Sequence, residues 1–217
     1  MEIRGLSIGQ GKISVSLLDL ASLEERPEDF LTPSERDRYV LLGGPKRRKE
    51  YLGARICLKE MLLKEEVIKN PRECRIDKDR WGRPYITFLK ELDRNFDCSI
   101  SHKGDYALAA VTDQAGMRIG VDIEPTSERL YRLRQAFVNE GDLVWRDERG
   151  DLFYALCWAA KEAASKAIGL GMMLDFKEMV FYEMGEGSFS LLCNSEGRPV
   201  KGQYFFRGNY CIALAQI

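Results

Sequence analysis

The sequence predicts an α+β protein built from two similar halves, each a small antiparallel sheet packed with helices. Strand and helix signals follow in the same order in both halves, and two helical segments starting at Tyr51 and Phe153 align without a gap over ten positions. We expect the halves to cover residues 1–114 and 115–217. The alternative is one continuous α+β domain in which the similarity of the two helices is accidental.

In the first half, alternating apolar residues predict a strand over 13–20. A Thr-Pro-Ser-Glu sequence starting at Thr32 supplies an N-cap, a proline and an acidic residue for the start of a helix that runs to Leu42. Apolar residues at helical spacing from Tyr51 predict a second helix. Further strands are expected over 84–88, 97–101 and 106–112, the last two forming a hairpin.

The second half repeats this order. A strand over 118–124 is followed by a helical region over 127–139 and a long helix over about 151–169. Three or four strands are expected from Val180 to the end. The shared order is what predicts the duplication.

Composition narrows the class of protein. Lys and Arg number 33 against 34 Asp and Glu, so the chain lacks the basic excess of a general nucleic-acid binder. His102 is the only histidine, which excludes a multi-histidine metal site. The six cysteines form no CxxC pair, and neither a signal peptide nor an 18-residue apolar run is found. We therefore expect a cytoplasmic protein with reduced core cysteines and no membrane segment.

Two carboxylates lie within the predicted strand Gly-Val-Asp-Ile-Glu that starts at Gly120. Because strand side chains alternate, Asp122 and Glu124 share one face, roughly 7 Å apart. Such a pair repels unless a cation lies between the carboxylates, and oxygen ligands suit Mg²⁺. The segment is either a metal site or a half-exposed strand with a polar outer face.

The long helix of the second half carries a Trp-Ala-Ala-Lys-Glu-Ala-Ala-Ser-Lys sequence. Trp158, Glu162 and Lys166 lie on one stripe at i, i+4 and i+8. A glutamate four residues before a lysine is often only a surface ion pair. The surrounding alanines, however, would let other backbone or a ligand approach closely.

Three segments of the first half have anion-binding character. Ser101 and His102 precede a Lys-Gly turn, which is typical of a phosphate-binding corner, although a structural histidine is the alternative. A basic run over 46–49 opens the second helix, where the helix dipole disfavours cations unless an anion binds. Arg83 follows Trp81, and the two suit a base with its phosphate.

In their order along the chain, these segments resemble the 4'-phosphopantetheinyl transferases of the surfactin-synthetase-activating (Sfp-like) type. The resemblance covers about residues 30–215. It implies an internally duplicated α+β fold with pseudo-twofold-related halves and a ligand cleft between them. It also implies transfer of the 4'-phosphopantetheine arm of coenzyme A to a serine of an apo acyl or peptidyl carrier protein, with release of adenosine 3',5'-bisphosphate.

The resemblance also implies roles for single residues. Asp122, Glu124 and Glu162 match the family's Mg²⁺ ligands, with Mn²⁺ as the alternative ion. Glu162, directly or through a metal-bound water, is the expected base for the carrier serine. Lys166 is expected to contact a phosphate, and Lys161 to help position the arm.

Contacts to coenzyme A are implied mainly in the first half. The serine and histidine of the corner match a phosphate contact in which the imidazole donates, and the Gly-Arg-Pro segment matches a loop beside the adenine, where the family often has lysine. The family usually has an arginine near the start of the basic helix, so two neighbouring residues compete here for the 3'-phosphate. The expected contacts are Arg48, Lys49, Arg83, Pro84, Ser101, His102 and Lys166.

The segment 125–138 matches the region that receives the carrier helix. Leu130, Leu133 and Phe137 are apolar at i, i+3 and i+7, and we expect a mixture of docking onto their own core and presentation to the partner. Nearby arginines would steer an acidic carrier protein. They are Arg129, Arg132 and Arg134.

Two other functions compete with the transferase. A non-catalytic coenzyme A or nucleotide-binding module would use the carboxylates structurally. A metal-dependent nuclease would also combine strand carboxylates with a Glu and a Lys on a helix, but the balanced charge argues against it. We expect no nucleic-acid or membrane partner, and a monomer, because two fused halves remove the need for a partner subunit.

Overall fold

The computed structural model describes residues 2–8, 11–146, 150–170 and 174–217, and of residues 2–8 and 11 only the backbone. The chain divides into two compact units, Met1–Met117 (unit 1) and Arg118–Ile217 (unit 2). No helix in the described residues is long and apolar enough to cross a membrane. The boundary lies three residues beyond the predicted division.

Unit 1 combines antiparallel strands with one long helix. The capping box at Thr32 starts the helix Pro33–Leu41 as predicted, since the Thr32 side chain accepts from the Glu35 amide while the Glu35 carboxylate accepts from the Thr32 amide. The elements in chain order are β1 (Glu2–Ile8), β2 (Gly11–Asp19), α1 (Pro27–Phe30), α2 (Pro33–Leu41), α3 (Pro45–Lys64), β3 (Cys74–Lys78), β4 (Pro84–Phe88), β5 (Asp97–Lys103) and β6 (Tyr106–Thr112).

Unit 1 has a four-stranded sheet in the order β1-β2-β6-β5 and a separate β3-β4 pair, all antiparallel. The helix α3 packs on this sheet, and its buried side chains form most of the core with apolar residues of β2 and β6. Gly53 sits where α3 approaches the sheet.

Unit 2 repeats the arrangement. Its long helix ends at Gly169, which takes the left-handed conformation (φ 91°) that glycine adopts without strain. The elements are β7 (Ile119–Pro125), α4 (Glu128–Leu133), α5 (Glu140–Leu143), α6 (Asp151–Ile168), β8 (Met179–Gly185), β9 (Ser188–Cys193), β10 (Arg198–Arg207) and β11 (Tyr210–Gln216). The five strands form an antiparallel sheet in the order β7-β11-β10-β9-β8, with α6 packed against β7 and β11.

The two units share one chain topology. In unit 1, the strand before the long helix pairs with the last strand, which pairs with the strand before it (β2-β6-β5). In unit 2 the same relation gives β7-β11-β10. The predicted α+β class with antiparallel sheets and helices is confirmed, and both units contain the predicted long helix.

The predicted helical region over 127–139 is confirmed over 128–136, but it is not one continuous helix. The helix α4 ends at Leu133, a single 3-10 turn covers Arg134–Ala136, and α5 starts from a new capping box at Asn139. Phe137 is fully buried and its carbonyl accepts a hydrogen bond from another helix. A continuous helix would bond that carbonyl within itself.

Candidate active site

The strand β7 holds two buried carboxylates. Asp122 is 6% exposed and Glu124 is 5% exposed, while Val121 and Ile123 on the other face are buried in the core. The partner strand β11 places only small side chains opposite the carboxylates, with Ala213 opposite Asp122 and a cysteine opposite Glu124. The half-exposed strand with a polar outer face is therefore excluded.

Close packing brings α6 against this strand. A Cβ placed on Gly120 would lie 1.9 Å from the Ala163 carbonyl oxygen and 2.6 Å from the Ala167 nitrogen. Only glycine in the strand and alanines in the helix permit this approach. The alanines of the helix sequence predicted this close approach.

The helix α6 turns a lysine toward the carboxylates. Lys166 Nζ donates to Asp122 Oδ1 at 2.7 Å and to the Val121 carbonyl oxygen at 2.9 Å. Glu162 lies one turn earlier on the same helical stripe and is partly exposed. The strand and helix motifs, which are 40 residues apart in the sequence, thus belong to one neighbourhood of unit 2.

The donor types in this neighbourhood suit Mg²⁺, which is commonly held by one or two carboxylates together with waters and phosphate oxygens. Among the described residues, however, the structure contains no group of three or more His, Cys, Asp or Glu arranged to hold a metal ion. Asp122 and Glu124 fit such a site as a pair. Glu162 does not join them as a preformed third ligand.

The prediction that Lys161 is a catalytic side chain needs correction. Its ammonium is fully buried and donates to Asp142 Oδ2 at 2.5 Å and to the carbonyl oxygens of Phe137 and Phe176 at 2.7 and 3.1 Å. An ammonium has three donors, and these three contacts use all of them. Burial lowers the pKa of Lys161, an effect that the Asp142 carboxylate opposes.

Unit 1 contains a basic pocket of about 300 Å³ beside the start of α3. Lys46 and Lys49 line it together with the turn between β5 and β6, and Lys49 Nζ lies 3.4 Å from the Leu20 carbonyl oxygen. Arg48 instead donates to the carbonyl oxygens of Leu42 and Val40 at 3.2 and 3.4 Å. Of the basic run 46–49, which the sequence left as candidates for the 3'-phosphate, the pocket is therefore lined by Lys46 and Lys49 and not by Arg48.

Ser101 and His102 lie near the end of β5, just before the turn that lines this pocket. Ser101 is buried, whereas about half of the His102 side chain is exposed. His102 Nδ1 lies 3.6 Å from Glu50 Oε1. This glutamate belongs to the helix α3, and no sequence motif linked it to His102.

The predicted adenine-side loop is a tight turn in which Asp79 Oδ1 accepts from the backbone amides of Trp81 and Arg83. The Arg83 guanidinium donates to both carboxylate oxygens of Asp97 at 2.8 and 2.6 Å, and Pro84 begins β4. Trp81 is largely exposed. The indole is thus open to a ligand, while the guanidinium has an acidic partner within unit 1.

The segment after β7 divides its apolar residues between core and surface, as expected. Leu130 and Phe137 are buried in the unit 2 core, while Tyr131 and Leu133 are exposed. The Arg134 guanidinium stacks on the Tyr131 ring at 4.1 Å. A surface with exposed aromatic and basic side chains therefore follows the carboxylate strand in the chain and packs against α6.

Comparison of the sequence with known proteins identifies the family of this chain. The 4'-phosphopantetheinyl transferase superfamily matches residues 118–215, which is nearly all of unit 2. A holo-[acyl-carrier-protein] synthase of Bacillus pumilus (strain SAFR-032) is 31% identical over 114 residues, covering 50% of this chain and 93% of that protein. The chain belongs to the 4'-phosphopantetheinyl transferase superfamily.

Two longer members of the superfamily are also similar. The L-aminoadipate-semialdehyde dehydrogenase-phosphopantetheinyl transferase of Pongo abelii is 26% identical over 171 residues, covering 70% of this chain and 52% of that protein. The 4'-phosphopantetheinyl transferase gsp of Aneurinibacillus migulanus is 29% identical over 129 residues, covering 55% and 50%. The chain spans about half the length of these curated relatives. An alignment of 171 residues is longer than either unit, so it includes residues of both.

Some residues that contact the predicted site residues were not predicted from the sequence. Asp142 and Asp97 contact the predicted residues Lys161 and Arg83 but belong to no recognisable motif, and Gly120, which opens the carboxylate motif, was given no role of its own. The combination of a glycine before the strand carboxylates and an alanine-rich helix was the available signal that β7 and α6 approach closely.

Proposed function

We propose that this protein is a phosphopantetheinyl transferase of the surfactin-synthetase-activating type. It would transfer the 4'-phosphopantetheine arm of coenzyme A to a serine hydroxyl of an apo acyl or peptidyl carrier protein and release adenosine 3',5'-bisphosphate. The observation that carries the proposal is the buried Asp122 and Glu124 pair on β7, packed against the helix that presents Glu162 and Lys166. Membership of the superfamily supports it.

The reaction requires a base and a means of stabilising negative charge. The carrier serine oxygen attacks the phosphorus that bears the pantetheine arm, and the bond from that phosphorus to the bridging pyrophosphate oxygen breaks. Glu162 takes the serine proton, directly or through a water. Lys166, held by Asp122, lies close enough to the carboxylates to bind a phosphate oxygen as charge builds there.

Asp122 and Glu124 are the proposed Mg²⁺ ligands, with Glu162 as a third that would join when the ion and the pyrophosphate bind. When bound, Mg²⁺ supplies charge neutralisation at the pyrophosphate. Unit 1 would bind the anionic nucleotide end of coenzyme A through Lys46, Lys49 and the corner that carries His102. The exposed arginines beside Tyr131 would attract the acidic carrier protein.

The surfactin-synthetase-activating subtype is supported by alignments that include both units. The relative from Pongo abelii aligns over more residues than unit 2 contains. The shared chain topology of the two units agrees with a duplicated transferase.

The test is an assay in which purified protein, Mg²⁺, coenzyme A and a panel of apo carrier proteins are analysed by mass spectrometry. We expect a phosphopantetheinyl mass shift on the carrier, lost when its serine is replaced by alanine. Glu162→Gln or Asp122→Ala should lower the rate about a hundredfold or more. Glu60→Gln is the matched control, because Glu60 occupies the aligned position on α3 and is likewise partly exposed. No transfer to any carrier, or wild-type turnover in Glu162→Gln, would contradict the proposal.

A second candidate, a non-catalytic coenzyme A-binding module, is favoured by one observation. Asp122 already has a cationic partner in Lys166, as a structural carboxylate would. Titration calorimetry with coenzyme A separates the two functions. The transferase should lose affinity when Mg²⁺ is chelated, whereas the module should bind equally well with and without the ion.

A further inference from the structure

The lysine that precedes Glu162 joins three segments of unit 2 at one buried atom. Lys161 Nζ contacts the carbonyl oxygen of Phe137, the carboxylate of Asp142 on α5, and the carbonyl oxygen of Phe176 after α6. Phe137 lies near the end of the segment 125–138, which the family resemblance assigns to carrier binding and which we call the carrier-facing segment. The Asp142 side chain is fully buried as well, and its second oxygen accepts from the Phe181 amide on β8. Every donor of the ammonium is thus used.

Apolar contacts join the same segments. The indole of Trp158, one turn before Lys161 on α6, packs edge-on against the rings of Phe137 and Phe176 at centroid distances of 5.1 and 5.5 Å. These are the two residues whose carbonyls accept from Lys161. Ring and backbone of each phenylalanine are therefore held by one helix.

Unit 1 contains the same arrangement at the aligned position. Lys59 is fully buried, donates to Glu35 Oε2 at 2.6 Å and to the Phe30 carbonyl oxygen at 2.8 Å, and lies on α3 as Lys161 lies on α6. Glu35, like Asp142, closes a capping box, and its second oxygen accepts from the Ile76 amide on β3. The fold therefore uses this buried pair twice.

The Lys161–Asp142 pair of unit 2 differs from the Lys59–Glu35 pair of unit 1 in the segments that it contacts. The described hydrogen bonds give Lys161 a third acceptor, the Phe176 carbonyl oxygen, and its anchor Phe137 ends the segment that begins directly after the carboxylate strand. A buried ion pair contributes little net stability compared with apolar residues of the same shape, so its value lies in fixing geometry. In unit 2 the ion pair fixes the position of α6, the helix that carries Glu162.

We propose that Lys161 and Asp142 form a positioning pair, which holds the segment 134–142 and the turn after α6 in register with the helix that presents Glu162. The proposal rests on the proposed function, because it assigns the pair to catalysis through the placement of the base and of the carrier-facing segment. Neither residue touches substrate. Their counterparts Lys59 and Glu35 have only a folding role.

The experiment compares Lys161→Met with Lys59→Met. Both variants remove a fully buried ammonium at aligned positions. Lys59→Met leaves Glu35 beside a second buried cation, Arg55, at 3.3 Å, so it should lower the melting temperature less than Lys161→Met, which takes the ammonium from the Asp142 carboxylate. At a temperature where each is folded, we expect Lys161→Met to lower kcat at saturating coenzyme A at least tenfold and to raise KM for the carrier. Lys59→Met should keep both values within twofold of wild type. Equal kcat losses in the two variants would overturn the proposal.

Hydrogen exchange supplies a readout that does not depend on activity. Backbone amides of 134–142 should exchange at least tenfold faster in Lys161→Met and at the wild-type rate in Lys59→Met; unchanged exchange in Lys161→Met overturns the proposal. If a methionine variant does not fold, Asp142→Asn and Glu35→Gln replace the two, with the same expected contrast. A wild-type protein that transfers nothing to any carrier refutes the proposed function alone, and the exchange measurement still tests the pair.

Discussion

Replacing Gly120 by alanine should separate the carboxylate strand from the helix α6. The added Cβ would lie 1.9 Å from the carbonyl oxygen of Ala163 and 2.9 Å from Lys166 Cβ, and real Cβ atoms essentially never come within 3.0 Å of such neighbours. The nearest obstacle is helix backbone, so no side chain can rotate away to relieve the contact. Strand and helix must therefore move apart by about 1 Å.

The structure sets the size of both expected effects. Overpacking of this kind lowers the free energy of unfolding by about 1–3 kcal/mol, and each kcal/mol corresponds to about 2–4 °C in a chain of this length, so the melting temperature should fall by about 2–12 °C. A displacement of about 1 Å between reacting groups lowers a rate about a hundredfold. Lys166 and Glu162 would both shift relative to Asp122 and Glu124.

Gly53→Ala is the matched control, because Gly53 also lies where a long helix meets its sheet. Its added Cβ would lie 2.4 Å from Leu20 Cδ2, which is the end of a flexible side chain, and alanine favours the helix by about 1 kcal/mol. We expect a melting temperature near that of wild type and an unchanged kcat at saturating coenzyme A. Thermal melts followed by circular dichroism and the carrier mass-shift assay measure both variants. If Gly120→Ala melts and turns over like wild type, the argument from close approach is refuted.

Two further predictions concern the thiols and an ion pair. Burial raises the pKa of Cys57 and of Cys74 to about 12, and all six cysteines are free and buried. At pH 8 fewer than one of the six thiols should therefore react with Ellman's reagent in the native protein, against six after unfolding in guanidinium; fast native labelling would contradict this. The hydrogen bond from Arg94 lowers the pKa of Asp113 below its ordinary 3.8, so the pair stabilises the fold above that pH and loses its effect as pH falls through the lowered value. Arg94→Ala should cost at most about 1 kcal/mol at pH 7, and its deficit against wild type in urea unfolding should shrink below pH 4; a deficit that grows on acidification would show the sign to be wrong.

The sequence predicted those features that depend on neighbours along the chain. The capping box at Thr32 predicted the start of α2, and the strands β4 and β6 were predicted at their observed bounds. Contacts between residues far apart in the sequence have no such local pattern. The family resemblance implied a functional role for Lys161. Its buried partner Asp142 lies 19 residues earlier in the short helix α5, which no periodicity predicted. The strand β3 was also missed, since its five residues include three charged ones.

The aligned helices α3 and α6 share a Lys-Glu sequence but differ in the residues that surround it. The helix α3 also contains a Lys-Glu sequence with a second lysine four residues after the glutamate, at Lys59, Glu60 and Lys64. Its neighbouring residues at 61 and 62 are methionine and leucine, where α6 has two alanines, and β2 offers serines and leucines rather than two carboxylates. The helical Lys-Glu sequence alone therefore makes no metal site. What distinguishes unit 2 is a strand with two buried carboxylates and residues small enough to let the helix reach them, so a protein with the helix motif but a bulky residue at the position of Gly120 should lack the transfer activity.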